Sequence, residues 1–141
     1  DINVAIGTDG AASNNDLDLF GELKTAALLA KGVSGDASAL DAHAALRMAT
    51  INSAKALGWQ DQIGSLEAGK SADIIAVEIN SLSQKPLYNP ASQLVYTNAG
   101  SQVSHSWVAG RALLQDRNLL TLNEAELIQT ADNWRTQIKP G

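Results

Sequence analysis

Cysteine is absent from the 141 residues, which excludes disulfides, thiolate zinc sites and cysteine nucleophiles. Basic residues are few: 10 Lys and Arg stand against 15 Asp and Glu, a net charge of −5 with neutral histidine. They form no cluster, and contact with nucleic-acid phosphates needs clustered cations. No apolar run approaches the roughly 20 residues that span a bilayer as a helix. Aromatics make up only 4% of the chain, and Trp59, Trp107 and Trp134 are scattered. They read as core or interface anchors rather than as a base-stacking platform. Histidine occurs twice, as His43 near a helix start and His105 on a predicted strand. No HxH or HExxH spacing can be assembled from them, so both read as surface or structural residues. Ser13, Ser53 and Ser106 lack the GxSxG context of a serine hydrolase. The glycines of GSLEAGK have neither Walker spacing nor a following helix, so a phosphate loop is excluded as well.

What is present describes a globular chain. Hydrophobic residues make up 45% and charged residues 18%, close to the soluble average, and the length suits one ordinary domain. Met48 is the single methionine, and the chain opens with DINVAIGTDG, entering an apolar segment at once. No initiator or signal-peptide pattern precedes it, so the expectation is part of a longer polypeptide.

Ile2 to Gly7 is short, β-branched and nearly continuous in apolar character, the pattern of a strand buried on both faces of a parallel sheet. A small, polar stretch follows and leads into an amphipathic helix over Asp16 to Lys31, in which Leu19, Leu23, Ala26 and Ala30 share a face with Phe20 and Ala27 beside them. Asn15 or Asp16 is its expected N-cap. A second helical region, with Ala44, Met48, Ile51, Ala54 and Leu57 at intervals of three and four, starts at Asp41, breaks near Thr50 and ends at Gly58. From Gly64 the period changes to two, Ile75, Val77 and Ile79 alternating with Ala76 and Glu78. LVYT and VSHSWVAGRALLQ continue this half-exposed sheet, with Ala109-Gly110 as a hairpin turn between Val103–Val108 and Arg111–Gln115. A last helix is capped by Asn123, lines up Leu127, Ala131, Trp134 and Ile138, and stops at Pro140.

Asp9 is the residue with most chemical content. A carboxylate directly after a buried parallel strand sits at the carboxyl edge of the sheet, where α/β folds place catalytic groups. A metal or a reacting water would compensate the charge there. The competing reading is a plain Thr8-Asp9-Gly10 turn in which Asp9 accepts local backbone hydrogen bonds. The enzymatic reading stands on Asp9 lying at a sheet edge; open solvent on a reverse bend would remove that support. Asn14, Asn15, Asp16 and Asp18 either line a substrate mouth or form an Asx-rich helix entry, and the second is favoured.

The strings VAIGTDGAASNNDLDLF, ALRMATINSAKALG, IGSLEAGKSADIIAVEI and VSHSWVAGR, in this order, resemble the C-terminal third of metal-dependent amidohydrolases. They are most like the group of 5-methylthioadenosine/S-adenosylhomocysteine deaminases and the related triazine hydrolases. The resemblance covers nearly the whole chain, and its most specific feature is GTDGAASNNDLD followed some fifty residues later by GSLEAGKSAD.

The resemblance implies an α/β plus β fold. Residues 1–62 would be the last strand and helices of a (β/α)8 barrel, 63–122 the C-terminal share of a composite β-sandwich, and 123–141 a terminal helix. It implies one divalent metal, zinc or iron, with Asp9 as the metal ligand and catalytic aspartate that relays a proton from the water the metal activates. The remaining ligands would lie outside these residues, leaving this chain alone inert. The implied reaction is hydrolytic deamination of an adenine nucleoside to the inosine analogue and ammonia by a cytoplasmic homo-oligomer. Triazine, guanine or cytosine chemistry is the alternative within the enzyme class, and a non-catalytic assembly fragment the alternative outside it. The partners implied are a purine nucleoside and the remainder of the enzyme, onto which the chain docks unless an oligomer covers its open surfaces.

Overall fold

A computed structural model describes residues 2–138. The local chemistry of the stretch before the first helix sets where that helix begins. Asn14 Oδ1 accepts the Asp16 N–H at 3.2 Å, Asp16 Oδ1 accepts the Asp18 N–H at 2.6 Å, and Asp18 Oδ1 accepts the Phe20 N–H at 2.9 Å. This ladder of side-chain turns, stepping two residues at a time, offers the backbone an alternative to helix until it runs out. Helix α1 therefore spans Leu19–Ser34 with Asp18 as its N-cap, rather than starting at Asp16 with Asn15 or Asp16 as the cap. Gly35, in the left-handed region, ends it. Lys31 does more than face the helix dipole: its Nζ donates to the carbonyls of Ala39 and Leu40 at 2.6 and 2.9 Å and lies 5.4 Å from the Tyr96 ring centre.

Asp41 caps α2 (Ala42–Ala49) through the Ala44 N–H at 2.8 Å. The break at Thr50 is real, since its backbone leaves helical geometry (φ −123°, ψ −103°) before α3 (Ile51–Ala56). Gly58 takes a left-handed φ of 73° just past the end of α3, as expected. The buried face of α2 is Ala42 and Ala45, one step out of phase with the expected Ala44 and Met48.

Leu94 to Tyr96 of LVYT are helical and Thr97 is the C-cap, a correction to the strand expected there. Helix α4 (Pro90–Tyr96) starts because Asn89 accepts the Ser92 N–H at 3.0 Å and Pro90, whose ring presets φ and which needs no donor, occupies the first turn. Its buried residues Ala91 and Val95 meet Leu23 and Ala27 of α1 and Ala42 and Ala45 of α2. Four alanines in this six-residue centre let three helices approach closely.

The sheet is an antiparallel meander of four strands in the order β1 (Ile74–Val77), β2 (Val103–Val108), β3 (Arg111–Gln115) and β4 (Asn118–Leu119). Ala109 and Gly110, at φ 49° and 77°, make the expected hairpin turn and pair Val108 with Arg111. Asp116 and Arg117 make a second turn of the same kind before β4. Asn123 caps α5 (Glu124–Gln137). No α5 residue is buried, and Trp134 and Ile138 are 60% and 64% exposed. The stop expected at Pro140 lies outside the described residues. Trp59 is also more than half exposed, at 53%, so Trp59 and Trp134 are surface residues here and not core anchors.

Ile2 to Gly7 is extended but is not a strand among the described residues. The reason is the absence of a neighbour: a strand exists only as a ladder, and the contacts of this segment run sideways to helices. Asn3 Nδ2 donates to the Asn52 carbonyl at 2.9 Å, Asn52 Nδ2 to the Val4 carbonyl at 3.2 Å, and the Ile6 N–H to the Met48 carbonyl at 3.3 Å. Ile2 is left 92% exposed.

Candidate active-site loop

Asp9 follows this extended segment. It is exposed, with φ 60°, and its Oδ1 accepts the Gly10 N–H at 2.7 Å. No sheet edge lies beneath it among the described residues, so its geometry here is that of the turn reading. A left-handed conformation is uncommon for a residue with a side chain, Asp and Asn being the best tolerated, and costs on the order of 1–3 kcal/mol. The surrounding bonds hold it in place. Thr8 Oγ1 donates to the Asp9 carbonyl at 3.1 Å, and the Ser13 and Asn14 N–H groups close the turn on the Gly10 carbonyl at 2.9 and 3.0 Å. Asn14 Nδ2 donates both to the Thr8 carbonyl and to Glu22 Oε1, each at 2.9 Å.

The polar cluster after Asp9 divides accordingly. Asp16 and Asp18 serve the helix entry, Asn15 is exposed, and Asn14 reaches back to the Asp9 turn. Asn14 and its anchor Glu22 were missed as a pair, because eight residues separate them and no helical or strand period links such positions.

The histidines are on separate elements. His43 is exposed on α2. His105, on β2, stacks on Trp107 with ring centres 5.5 Å apart, shares a hydrogen bond between Nδ1 and Ser104 Oγ at 3.0 Å, and has Nε2 3.5 Å from Asp116 Oδ1. Ser104 is buried and bonds the Ala76 carbonyl, so this Ser, His and Asp trio supports the sheet. The GSLEAGK loop is fastened by Lys70, whose Nζ donates to the Gln60 carbonyl at 2.5 Å and to Ser65 Oγ at 2.6 Å. The Ser65 hydroxyl, with the nearby Lys70 charge, holds the Glu67 carboxyl below its usual range.

The described residues thus combine a helical layer, an antiparallel meander and an aspartate turn. The model of the Amidohydrolase family matches residues 1–113. The chain belongs to that family. It is 57% identical over 137 residues to the 5-methylthioadenosine/S-adenosylhomocysteine deaminase of Teredinibacter turnerae, which covers 97% of this chain and 31% of the relative. It is 47% identical to the 5'-deoxyadenosine deaminase of Methanosphaera stadtmanae, over 93% of this chain and 30% of that protein. Among solved structures, an adenosine deaminase from Xanthomonas campestris with bound zinc superposes on 96% of this chain with a TM-score of 0.92 and 49% identity, and 31% of it is covered. Atrazine chlorohydrolase from Arthrobacter aurescens, complexed with zinc, matches 94% of the chain and 29% of its own length at 30% identity and a TM-score of 0.86. The chain thus spans about 31% of the length of the first of these relatives.

A carboxylate oxygen is an ordinary zinc donor, and Asp9 fits as one ligand: it is accessible, and Gly10 takes only Oδ1. A catalytic zinc needs about three protein ligands. Among the described residues no group of three or more His, Cys, Asp or Glu side chains comes together to hold a metal. No described helix is long and apolar enough to cross a membrane.

Proposed function

We propose that the chain is the C-terminal part of a hydrolytic deaminase acting on the adenine ring of 5'-modified nucleosides, with 5-methylthioadenosine and S-adenosylhomocysteine as substrates. The observation that carries this reading is the 57% identity, over 97% of the chain, to a protein named for that activity. Water adds at C6 of the ring, the exocyclic amino group leaves as ammonia, and the inosine analogue results.

In this reading residues 2–7 are the last strand of a (β/α)8 barrel, completed by neighbouring strands outside these 141 residues. The exposed Ile2 and Val4 support it, since an apolar extended segment without a ladder calls for neighbours on its flanks. Residues 63–122 contribute the meander to a β-sandwich, and α5 follows it. A zinc ion, when bound, supplies a Lewis acid that acidifies water. Asp9 is one of its ligands. Oδ1 accepts the Gly10 N–H, and Oδ2, which carries no hydrogen bond among the described residues, is free to face the cation or to accept a proton and pass it on. A cytoplasmic homo-oligomer completes the proposal.

The test is to express the complete polypeptide and follow ammonia release with 5-methylthioadenosine, S-adenosylhomocysteine, 5'-deoxyadenosine, guanine and cytosine, and chloride release with atrazine. Turnover confined to the adenine nucleosides supports the reading. A preference for guanine, cytosine or the triazine overturns the substrate class, and no turnover of any with zinc bound favours a non-catalytic assembly role.

A further inference from the structure

The Asp9 turn is tied to helix α1 through one side chain. Both protons of the Asn14 amide are used, one on the Thr8 carbonyl and one on Glu22 Oε1, each at 2.9 Å, while its oxygen accepts the Asp16 N–H at 3.2 Å. The reverse orientation of the amide would set its oxygen against two acceptors, so the network admits only one. The Thr8 carbonyl belongs to the peptide plane that ends in the Asp9 nitrogen. Fixing that plane fixes the direction from which Asp9 leaves the backbone, and Thr8 Oγ1 on the Asp9 carbonyl restrains the following plane. Glu22 lies in the first turn of α1. The carboxylate's placement therefore refers to a packed helix, whereas Asp9 itself is exposed and has no sheet beneath it among the described residues.

We propose that Asn14 is the positioning residue for Asp9: by clamping the Thr8 carbonyl to Glu22 it sets the left-handed conformation that aims the Asp9 carboxylate. This rests on the reading of Asp9 as a metal ligand. Groups that orient a ligand are worth about 10–100-fold in metal affinity or activity.

The experiment uses the complete polypeptide, measuring zinc retained against a chelator, kcat and KM for 5-methylthioadenosine, and the thermal midpoint. Three variants are compared: Asp9→Asn, Asn14→Ala, and the pair Asn14→Asp with Glu22→Gln. The pair exchanges donor and acceptor between positions 14 and 22, so the tie to α1 is kept while the Thr8 carbonyl loses its donor. Asn14→Ala and the pair are both expected to lower kcat and zinc retention by about 10–100-fold with KM little changed. The pair keeps a thermal midpoint near that of the parent, which a merely structural role for Asn14 does not allow alongside lost turnover. Native kcat and zinc retention in the pair overturn the proposal. If Asp9→Asn also keeps both, the reading of Asp9 itself has failed; if Asp9→Asn is inactive beside a native-like pair, only the role of Asn14 has.

Discussion

A methyl group placed on Gly100 would stand 2.8 Å from Oδ1 of Asp18, 82 residues earlier in the chain, and 3.2 Å from its carboxyl carbon. Asp18 cannot yield freely, because the same carboxylate caps α1 through the Phe20 N–H. The segment leading into the sheet is thereby seated against the start of the helix that anchors the Asp9 turn.

Gly100→Ala is expected to cost about 0.5–2 kcal/mol, the worth of an N-cap. In an Asp18→Ala background the same change should cost far less, since nothing is left to displace. A double-mutant cycle on the denaturant midpoint of the complete polypeptide checks this; equal costs in both backgrounds would remove the steric coupling.

Gly64 and Gly69 both have positive φ, 90° and 95°, yet differ in their surroundings. A Cβ on Gly64 would lie 2.7 Å from Ala54 Cβ and 3.0 Å from Ile51 Cα, whereas Gly69 faces open space. Gly69→Ala should cost about 1 kcal/mol of backbone strain. Gly64→Ala adds overpacking against α3, for a further roughly 1–3 kcal/mol. Comparable thermal midpoints for the two variants would contradict the assignment.

Asp9→Asn in the complete polypeptide should abolish deamination while leaving the far-ultraviolet circular dichroism and thermal midpoint close to the parent. Asp9 is exposed and holds one hydrogen bond that an amide oxygen can keep. Near-normal turnover would take Asp9 out of the mechanism.

The 141-residue chain alone should bind zinc only weakly, because among the described residues no three ligating side chains converge. Calorimetric titration checks this. Sub-micromolar affinity would show that a site assembles within the chain, against the proposal that the other ligands lie elsewhere.

Asp41 supplies a pH dependence of known sign. The Ala44 N–H that it caps holds its carboxyl below the usual value of 3.8, with smaller help from His43 and Arg47. A depressed folded-state value means the unfolded chain binds the proton more readily, so the cap's ionic contribution is complete above the unfolded value and is lost as pH falls through the folded one. Asp41→Asn keeps the cap without the titration. Its stability should fall less than the parent's on acidification below about pH 4, as urea midpoints across that range will record.

Much of this architecture is legible in local sequence. Asp41, Asn123, Gly58 and the Ala109-Gly110 hairpin act through hydrogen bonds and backbone angles within three or four residues, so the residue types state the outcome. Where two local signals compete, reading the chain fails. Asn15, Asp16 and Asp18 are all competent caps, and only the ladder of side-chain turns selects Asp18. Val95 and Tyr96 have strand character, but Asn89 and Pro90 start a helix and the α1–α2 layer supplies the surface that buries Val95.

Four strings in order, above all GTDGAASNNDLD followed by GSLEAGKSAD, pointed to the family, and Thr8, Asp9 and Gly10 after an apolar run marked the candidate site. They could not show how the aspartate is held. Asn14 meets Thr8 and Glu22, and Gly100 meets Asp18, only because the folded backbone brings distant positions within bonding range. Such contacts have no period for a sequence to display. The segment before Asp9 has the composition of a buried strand but forms no ladder among the described residues: strand character is written residue by residue, whereas a ladder depends on whatever chain lies alongside.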